Sequence, residues 1–224
     1  MNQWNSHTGA RRRIVLDTDL GVGNDDFLAL CLSLTSPDIS LEALSVCAGN
    51  YSMKQCLYNA LSIFEYFDLR DIPVLKGAIL PLKHFYRELE KKAFGSWGEL
   101  DRAKWPFSRA ATIQPDSLSA DRWMVRRLSR GPSITVVAIG PLTNIALAMR
   151  KGPLPAIEQV VVMGGHSENH SKILGNATER AEFNFWVDPE AAAEVLAAGY
   201  PVTLVPLHIW NQVWFDVNSY LRIA

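Results

Sequence analysis

DTDLGVGNDD, residues 17–26, sets four aspartates, Asp17, Asp19, Asp25 and Asp26, in ten positions. An apolar segment precedes it at 14–16 and another follows at 27–34. An apolar run that ends in carboxylates and a glycine loop, then resumes with helical spacing, reads as strand, loop, helix. It places the acids at the carboxyl end of a first parallel strand, where open α/β sheets hold their ligands. Carboxylates a few Å apart cannot all ionise without cost unless a cation offsets them. A bound Ca²⁺ or Mg²⁺ is therefore the first expectation for this loop.

Outward from that loop, short β-rich runs alternate with helical patterns. Strands are expected at 14–17, 41–47, 73–75, 134–138, 159–163 and 202–205, and helices at 24–35, 52–67, 120–128, 142–149 and from 189. Asn24 and Ser52 suit helix caps, Asp25 and Asp26 suit a first helical turn, and Asp188-Pro189 opens a helix with proline at its first position. Such alternation implies right-handed crossovers and a Rossmann-like open, mainly parallel sheet with helices on both faces. Two irregular stretches interrupt it, 76–115 and 166–179, and the longer one reads as a lid. Four polar clusters fall at strand ends: 17–26, Gly49-Asn50, Thr143-Asn144, and the group Asn176, Glu182 and Asn184.

Composition narrows the partners. The chain has 224 residues, 48% of them hydrophobic, and a formal net charge of −1. Its longest basic run is Arg11 to Arg13, so there is no electrostatic footprint for nucleic acid, and any substrate is small. No apolar run reaches the ~20 residues that cross a bilayer, and the polar N-terminus lacks a secretory pattern. Cys31, Cys47 and Cys56 lie in apolar segments without C-x-x-C spacing, as buried thiols of a reducing compartment do. A soluble, cytoplasmic protein is expected, with residues 1–12 a disordered tail, 13–207 the α/β domain and 208–224 a divergent tail.

Two chemistries fit the acids alone. In a haloacid-dehalogenase-like phosphotransferase the first aspartate of D-x-D is a nucleophile bridged by Mg²⁺ to phosphate. Leu20 and Gly21 stand where that chemistry wants a hydroxylated or β-branched residue, and no later strand ends in paired acids. The second reading draws on the whole chain. DTDLGVGNDDFLAL, SVCAGNYSMKQCLYNAL, VVAIGPLTNIALAM, VVVMGG and GNATERAEFNFWVDPEAA, in that order between residues 14 and 207, together resemble the inosine-uridine-preferring nucleoside hydrolase family.

That resemblance implies the nucleoside hydrolase fold and calcium-dependent hydrolysis of ribonucleosides to ribose and free base. By it, Asp19 both ligates Ca²⁺ and accepts a proton from the attacking water, and Asp26 is the bidentate ligand. The Thr143 position is similar to one that ligates through its backbone carbonyl. Asp25 resembles the residue that takes the ribose 2′-hydroxyl. Asn50, Asn176, Glu182 and Asn184 match positions that contact the reacting water or the ribose hydroxyls, and Asp17 resembles a residue that orients the loop from behind. The resemblance also leaves room for a homo-oligomer.

The chain departs from the family pattern at three points. The 19–25 loop is two residues longer than in the best-known members. Phe94 stands where a histidine is usual, beside Trp97 in the lid. Family members also continue past the last strand, with a further aspartate for the cation and a histidine near the leaving base. Here His208 and Asp216 are the only substitutes in reach, and the domain is expected to be incomplete at its carboxyl end, as in a truncated, catalytically impaired homologue.

Overall fold

The computed structural model of the chain describes residues 11–21, 25–83, 112–167 and 174–213. Asn24, Phe94, Trp97, Asp216 and the centre of the expected lid lie outside these residues. Six strands, β1 (Arg12–Thr18), β2 (Ile39–Val46), β3 (Val74–Lys76), β4 (Ile134–Ala138), β5 (Ile157–Met163) and β6 (Val202–Val205), form one sheet. Their order is β3-β2-β1-β4-β5-β6 and every pairing is parallel. The chain winds outward from β1 in one direction, then returns to β4 and winds in the other. The carboxyl ends of β1 and β4 therefore diverge into a crevice, the switch point where such sheets bind ligands.

The alternation of β1 decides what lies on each face. Ile14 and Leu16 pack with Leu44, Val46, Cys56, Ile63 and Phe64 in one buried cluster, whereas Val15 packs with Val136, Met124, Ile145 and Val195 in the other. The first cluster is covered by α1 (Asp25–Thr35) and α2 (Met53–Tyr66). The second lies under α3 (Ala120–Leu128), α4 (Thr143–Met149) and α6 (Pro189–Ala197). Two short helices, α5 (Phe183–Val187) and α7 (Leu207–Trp210), flank the crevice side.

Local chemistry sets the element boundaries. Ser52 caps α2 by accepting from the Gln55 amide at 3.3 Å, and Asp188 caps α6 by accepting from Ala191 N at 3.1 Å ahead of Pro189. β1 begins at Arg12, earlier than the apolar run alone suggests, because the Arg12 amide bonds Asp38 O at 2.7 Å and edges the strand into the ladder. α5 escapes the sequence pattern because five residues are too few to show a helical period. Cys31, Cys47 and Cys56 are thiols, the last two buried. Among the described residues no helix is long and apolar enough to cross a membrane.

Phe64 is fully buried where α2 meets the sheet. Phe64→Ala should lower unfolding free energy by about 3–5 kcal/mol, the range for deleting a core ring. Denaturant melts of the two proteins check this, and a loss under about 1 kcal/mol would mean that α2 is not packed as described.

Candidate active site

The crevice is lined by the residues at which β1 runs out. Asp17 still belongs to the strand and shares the Val15 face, so it points toward α4, while Thr18 points toward α1. Asn144, at the start of α4, donates through Nδ2 to Asp17 Oδ1 at 2.8 Å and to Ser45 Oγ at 3.0 Å. Its Oδ1 accepts from Ala78 N at 2.7 Å. One buried amide thus joins β1, β2, the loop after β3 and α4. On the other face the Thr18 hydroxyl donates to Asp26 Oδ1 in a short bond.

Asp19 lies beyond the strand and is wholly buried. Its Oδ2 accepts from Asn50 N at 2.6 Å, and its Oδ1 has no hydrogen-bond partner. Two glycines make room for it. A Cβ on Gly49 would overlap the Asp19 carboxylate, and one on Gly140 would come within 2.8 Å of Asp19 N. Asp17 Oδ2 is likewise buried and unpartnered.

The electrostatics follow from this burial. Desolvation pushes the Asp17 carboxyl up to about 6, against the lowering effect of the Asn144 and Ser45 bonds. Burial pushes Asp19 up to about 7, offset in part by the Asn50 amide and reinforced by the charges of Asp25 and Asp17. Asp26 is raised well above the ordinary value, first by burial and then by Asp19. None of the three forms an ion pair among the described residues. Three acids are thus held where ionisation is costly and no side-chain cation compensates.

The donor chemistry fits a hard cation. Among the described residues no three His, Cys, Asp or Glu side chains gather into a metal cluster. The buried carboxylates of Asp19 and Asp26 are nonetheless oxygen donors of the kind that Ca²⁺ accepts and Zn²⁺ does not prefer. The unpartnered oxygen of Asp19 is the atom that lacks a positive neighbour.

The remaining expected residues divide. Asp25, in the first turn of α1, is exposed and accepts from Trp210 Nε1 at 2.9 Å. Asn50 meets Asp19 through its backbone. Thr143 donates its hydroxyl to Asp188 Oδ2 at 2.6 Å. Glu182 is buried and caps α5, its Oε1 accepting from Asn184 N at 2.8 Å and its Oε2 from Gly165 N at 2.9 Å and Phe185 N at 3.1 Å. Burial raises its carboxyl above the ordinary value despite those amides. Asn184 spans the ends of β4 and β5, donating to Ile139 O at 3.0 Å and Met163 O at 3.1 Å. Asn176 is exposed and accepts from Phe183 N at 2.8 Å.

Sequence reading placed Asn144 in a polar cluster and Asp188 at a helix start without giving either a role in the site, and it did not single out Thr18 or Trp210 as site residues. Asp188 is fully buried and accepts from Thr143, from Leu82 N at 2.9 Å and from Ala191 N, so it ties the loop after β3 to α4 and α6. The signal for Asn144 was its place at a strand end, as a polar amide near the start of the otherwise apolar helix TNIALAM. Trp210 left no signal, because its partner is 185 residues away.

Comparison with known proteins bears on the family and the fold. Residues 14–223 match the profile of the inosine-uridine preferring nucleoside hydrolase family, a match that runs past Leu207, the limit of the resemblance read from the sequence. The chain is 39% identical over 206 residues to the pyrimidine-specific ribonucleoside hydrolase RihA of Shewanella sp. (strain MR-4), covering 90% of this chain and 60% of that protein. It is 37% identical over 205 residues to the non-specific ribonucleoside hydrolase RihC of Escherichia coli O1:K1 / APEC, covering 90% and 63%. It also superposes on the purine-preferring ribonucleoside hydrolase from Gardnerella vaginalis with a TM-score of 0.79, at 28% identity, over 92% of this chain and 64% of that one. The chain thus spans less than two thirds of the length of these relatives. The phosphotransferase reading of the acids finds no support in these matches. With the sequence profile, the relatives and the superposition in agreement, the chain belongs to the inosine-uridine preferring nucleoside hydrolase family.

Proposed function

We propose that this chain hydrolyses the N-glycosidic bond of ribonucleosides to ribose and free base, with Asp19, Asp26 and the Thr143 carbonyl holding a Ca²⁺ ion. The observation that carries the proposal is Asp19, which is fully buried at the switch point with one oxygen fixed by an amide and the other unpaired. Cleavage of a ribosyl C–N bond passes through an oxocarbenium-like state, so the sugar gains positive charge as water attacks one face. A cation bound there supplies Lewis acidity toward water and offsets the acids around it.

The chain's own groups do the rest. Asp19 Oδ1 accepts the proton of the attacking water, with its carboxylate held in one orientation by Asn50 N and by the walls of Gly49 and Gly140. Asp17, steered by Asn144, sets the course of the loop from behind. Asp25 accepts the 2′-hydroxyl of the ribose, exchanging its bond from Trp210 for one to the sugar. Asn50, Asn176 and Asn184 offer amides that both donate and accept, which suits vicinal hydroxyls. Glu182 shapes that wall by fixing the turn from Gly165 into α5. The relatives differ in the bases their names specify, so the base preference is not carried over. A cytoplasmic location is part of the same reading, and three thiols without a disulfide support it.

Two predictions follow this chemistry. Asp19→Asn keeps the shape and removes the charge. It should abolish calcium-dependent thermal stabilisation and reduce ribose release from inosine and uridine at least about a hundredfold, the lower bound for losing a general base. Turnover retained in the variant sinks the proposal. Calcium stabilisation of the native chain without turnover would instead assign an impaired homologue that keeps only the cation site.

The second concerns pH. The folded-state values of Asp17 and Asp19, about 6 and about 7, lie above the unfolded value of 3.8. The folded chain therefore retains protons that the unfolded chain has released, and stability contributed by these groups is lost as pH rises from about 4 to 7. Melting temperature in EDTA should fall between pH 5 and pH 8, and millimolar Ca²⁺ should remove most of that fall. Glu65, Asp121 and Glu194 have lowered values, so their contribution changes only in more acid solution. A melting temperature that rises with pH in EDTA contradicts the buried-acid account.

A further inference from the structure

At the opposite edge of the sheet, where β1, β2 and β4 begin, an open cleft of about 770 Å³ is lined by Arg13, Glu42, Trp123, Arg126, Arg127 and Arg130. We propose that this cleft binds a small ligand bearing a diphosphate group, at a site separate from the candidate active site.

Four arginines from three segments converge there. Arg13 comes from the start of β1, Arg126 and Arg127 from the last turn of α3, and Arg130 from the turn into β4. The acid in the lining is Glu42, at the register shift where Ile14 pairs with Leu41 but Val15 pairs with Ala43. That shift leaves Glu42 as the extra residue of β2, and its carboxylate ion-pairs with Arg13 at 3.4 Å and Arg127 at 3.1 Å. Arg127 is further held by Pro132 O at 3.4 Å across the left-handed turn at Gly131. Two guanidinium groups are thus fixed in the wall by protein contacts.

Arg126 and Arg130 are different. Both are exposed, and neither has a carboxylate partner among the described residues. A helix C-terminus favours nearby cations, which accounts for Arg126 and Arg127 but not for Arg13 and Arg130. Four arginines against one glutamate leave three uncompensated positive charges on a chain whose net charge is −1.

Guanidinium forks match phosphoryl oxygens in bidentate fashion, and two unpaired forks match the two phosphoryl groups of a diphosphate. A single phosphomonoester, with a charge of about −1.5 to −2, would leave the cleft under-compensated. The cleft lies within the ~300–1,000 Å³ usual for small-ligand sites, and Trp123, 7% exposed, gives it an apolar floor. An extended nucleic-acid track needs a long basic stripe, whereas the arginines lining this cleft number four.

The test is calorimetric titration of inorganic diphosphate into the full chain in EDTA, at 50 and 150 mM NaCl. One saturable site per chain is expected at both salt concentrations. The dissociation constant should rise at least tenfold in the double variant Arg126→Gln/Arg130→Gln, whose exposed positions leave folding unchanged. The charge-matched double variant Lys54→Gln/Arg122→Gln, outside the cleft, should bind as the native chain does. Absence of saturable binding, equal binding by the Arg126/Arg130 variant, or equal weakening in the control overturns the proposal, as does binding only to anionic lipid vesicles. EDTA withholds divalent cations and no nucleoside is present in the measurement, so its result is independent of hydrolase activity.

Discussion

The constraint on which this structure turns is the burial of Asp17, Asp19 and Asp26 around the end of one strand, with no basic side chain to meet them among the described residues. Ionised carboxylates in such surroundings carry a desolvation penalty that hydrogen bonds only partly repay. The surrounding sequence reads as a response. Asn144, Ser45, Thr18 and the Asn50 amide each hand one donor to an acid, while one oxygen of Asp17 and one of Asp19 go without. A protein optimised for stability alone would have filled those places with a lysine, an arginine or an apolar residue. Leaving them open holds an electrostatic deficit that a divalent cation can make good, at a cost to the cation-free chain.

Strand alternation distributes this arrangement. Successive residues of β1 face opposite sides, so Asp17 engages α4 and Thr18 engages α1, while Asp19 passes beyond the ladder into the crevice between the loops after β2 and β4. Asn144 and Asp188 then extend the network. The first binds the loop after β3 to the sheet, and the second binds that loop to α4 and α6. Deleting either would leave several buried groups unsatisfied, which costs more than the net value of the bonds themselves.

Much of the fold was legible in the sequence because its elements are long enough to show a period. The spans 120–128, 134–138 and 202–205 emerge as read, and the other strands differ by one or two residues at their ends. The acidic loop was legible as a candidate site because so many carboxylates at a strand end have few structural uses. What escaped has physical reasons. α5 is too short for periodicity, and Asn144 and Asp188 look like ordinary cap residues until the fold brings their partners from distant segments. Trp210 contacts Asp25 only because α7 folds back onto the mouth of the crevice. Glu182 and Asn176 were read through their resemblance to sugar-contacting positions, and the structure gives them capping bonds that local sequence alone does not reveal.

The buried acids and the arginine-lined cleft lie at opposite edges of the sheet, and parallel topology makes that separation possible. All six strands point the same way, so every residue that ends a strand gathers at one edge and every residue that begins one gathers at the other. Asp17, Asp19 and Asp26 share the first edge, and Arg13, Arg126, Arg127 and Arg130 the second. An arginine at the acidic edge would pair with Asp19, lower its affinity for protons and occupy the place of a cation. In the proposed hydrolysis it would also oppose the positive charge that develops on a ribosyl group as its bond to the base breaks. Placement of these four arginines at the far edge keeps them away from the acids, and one strand, β1, spans the distance between the two groups.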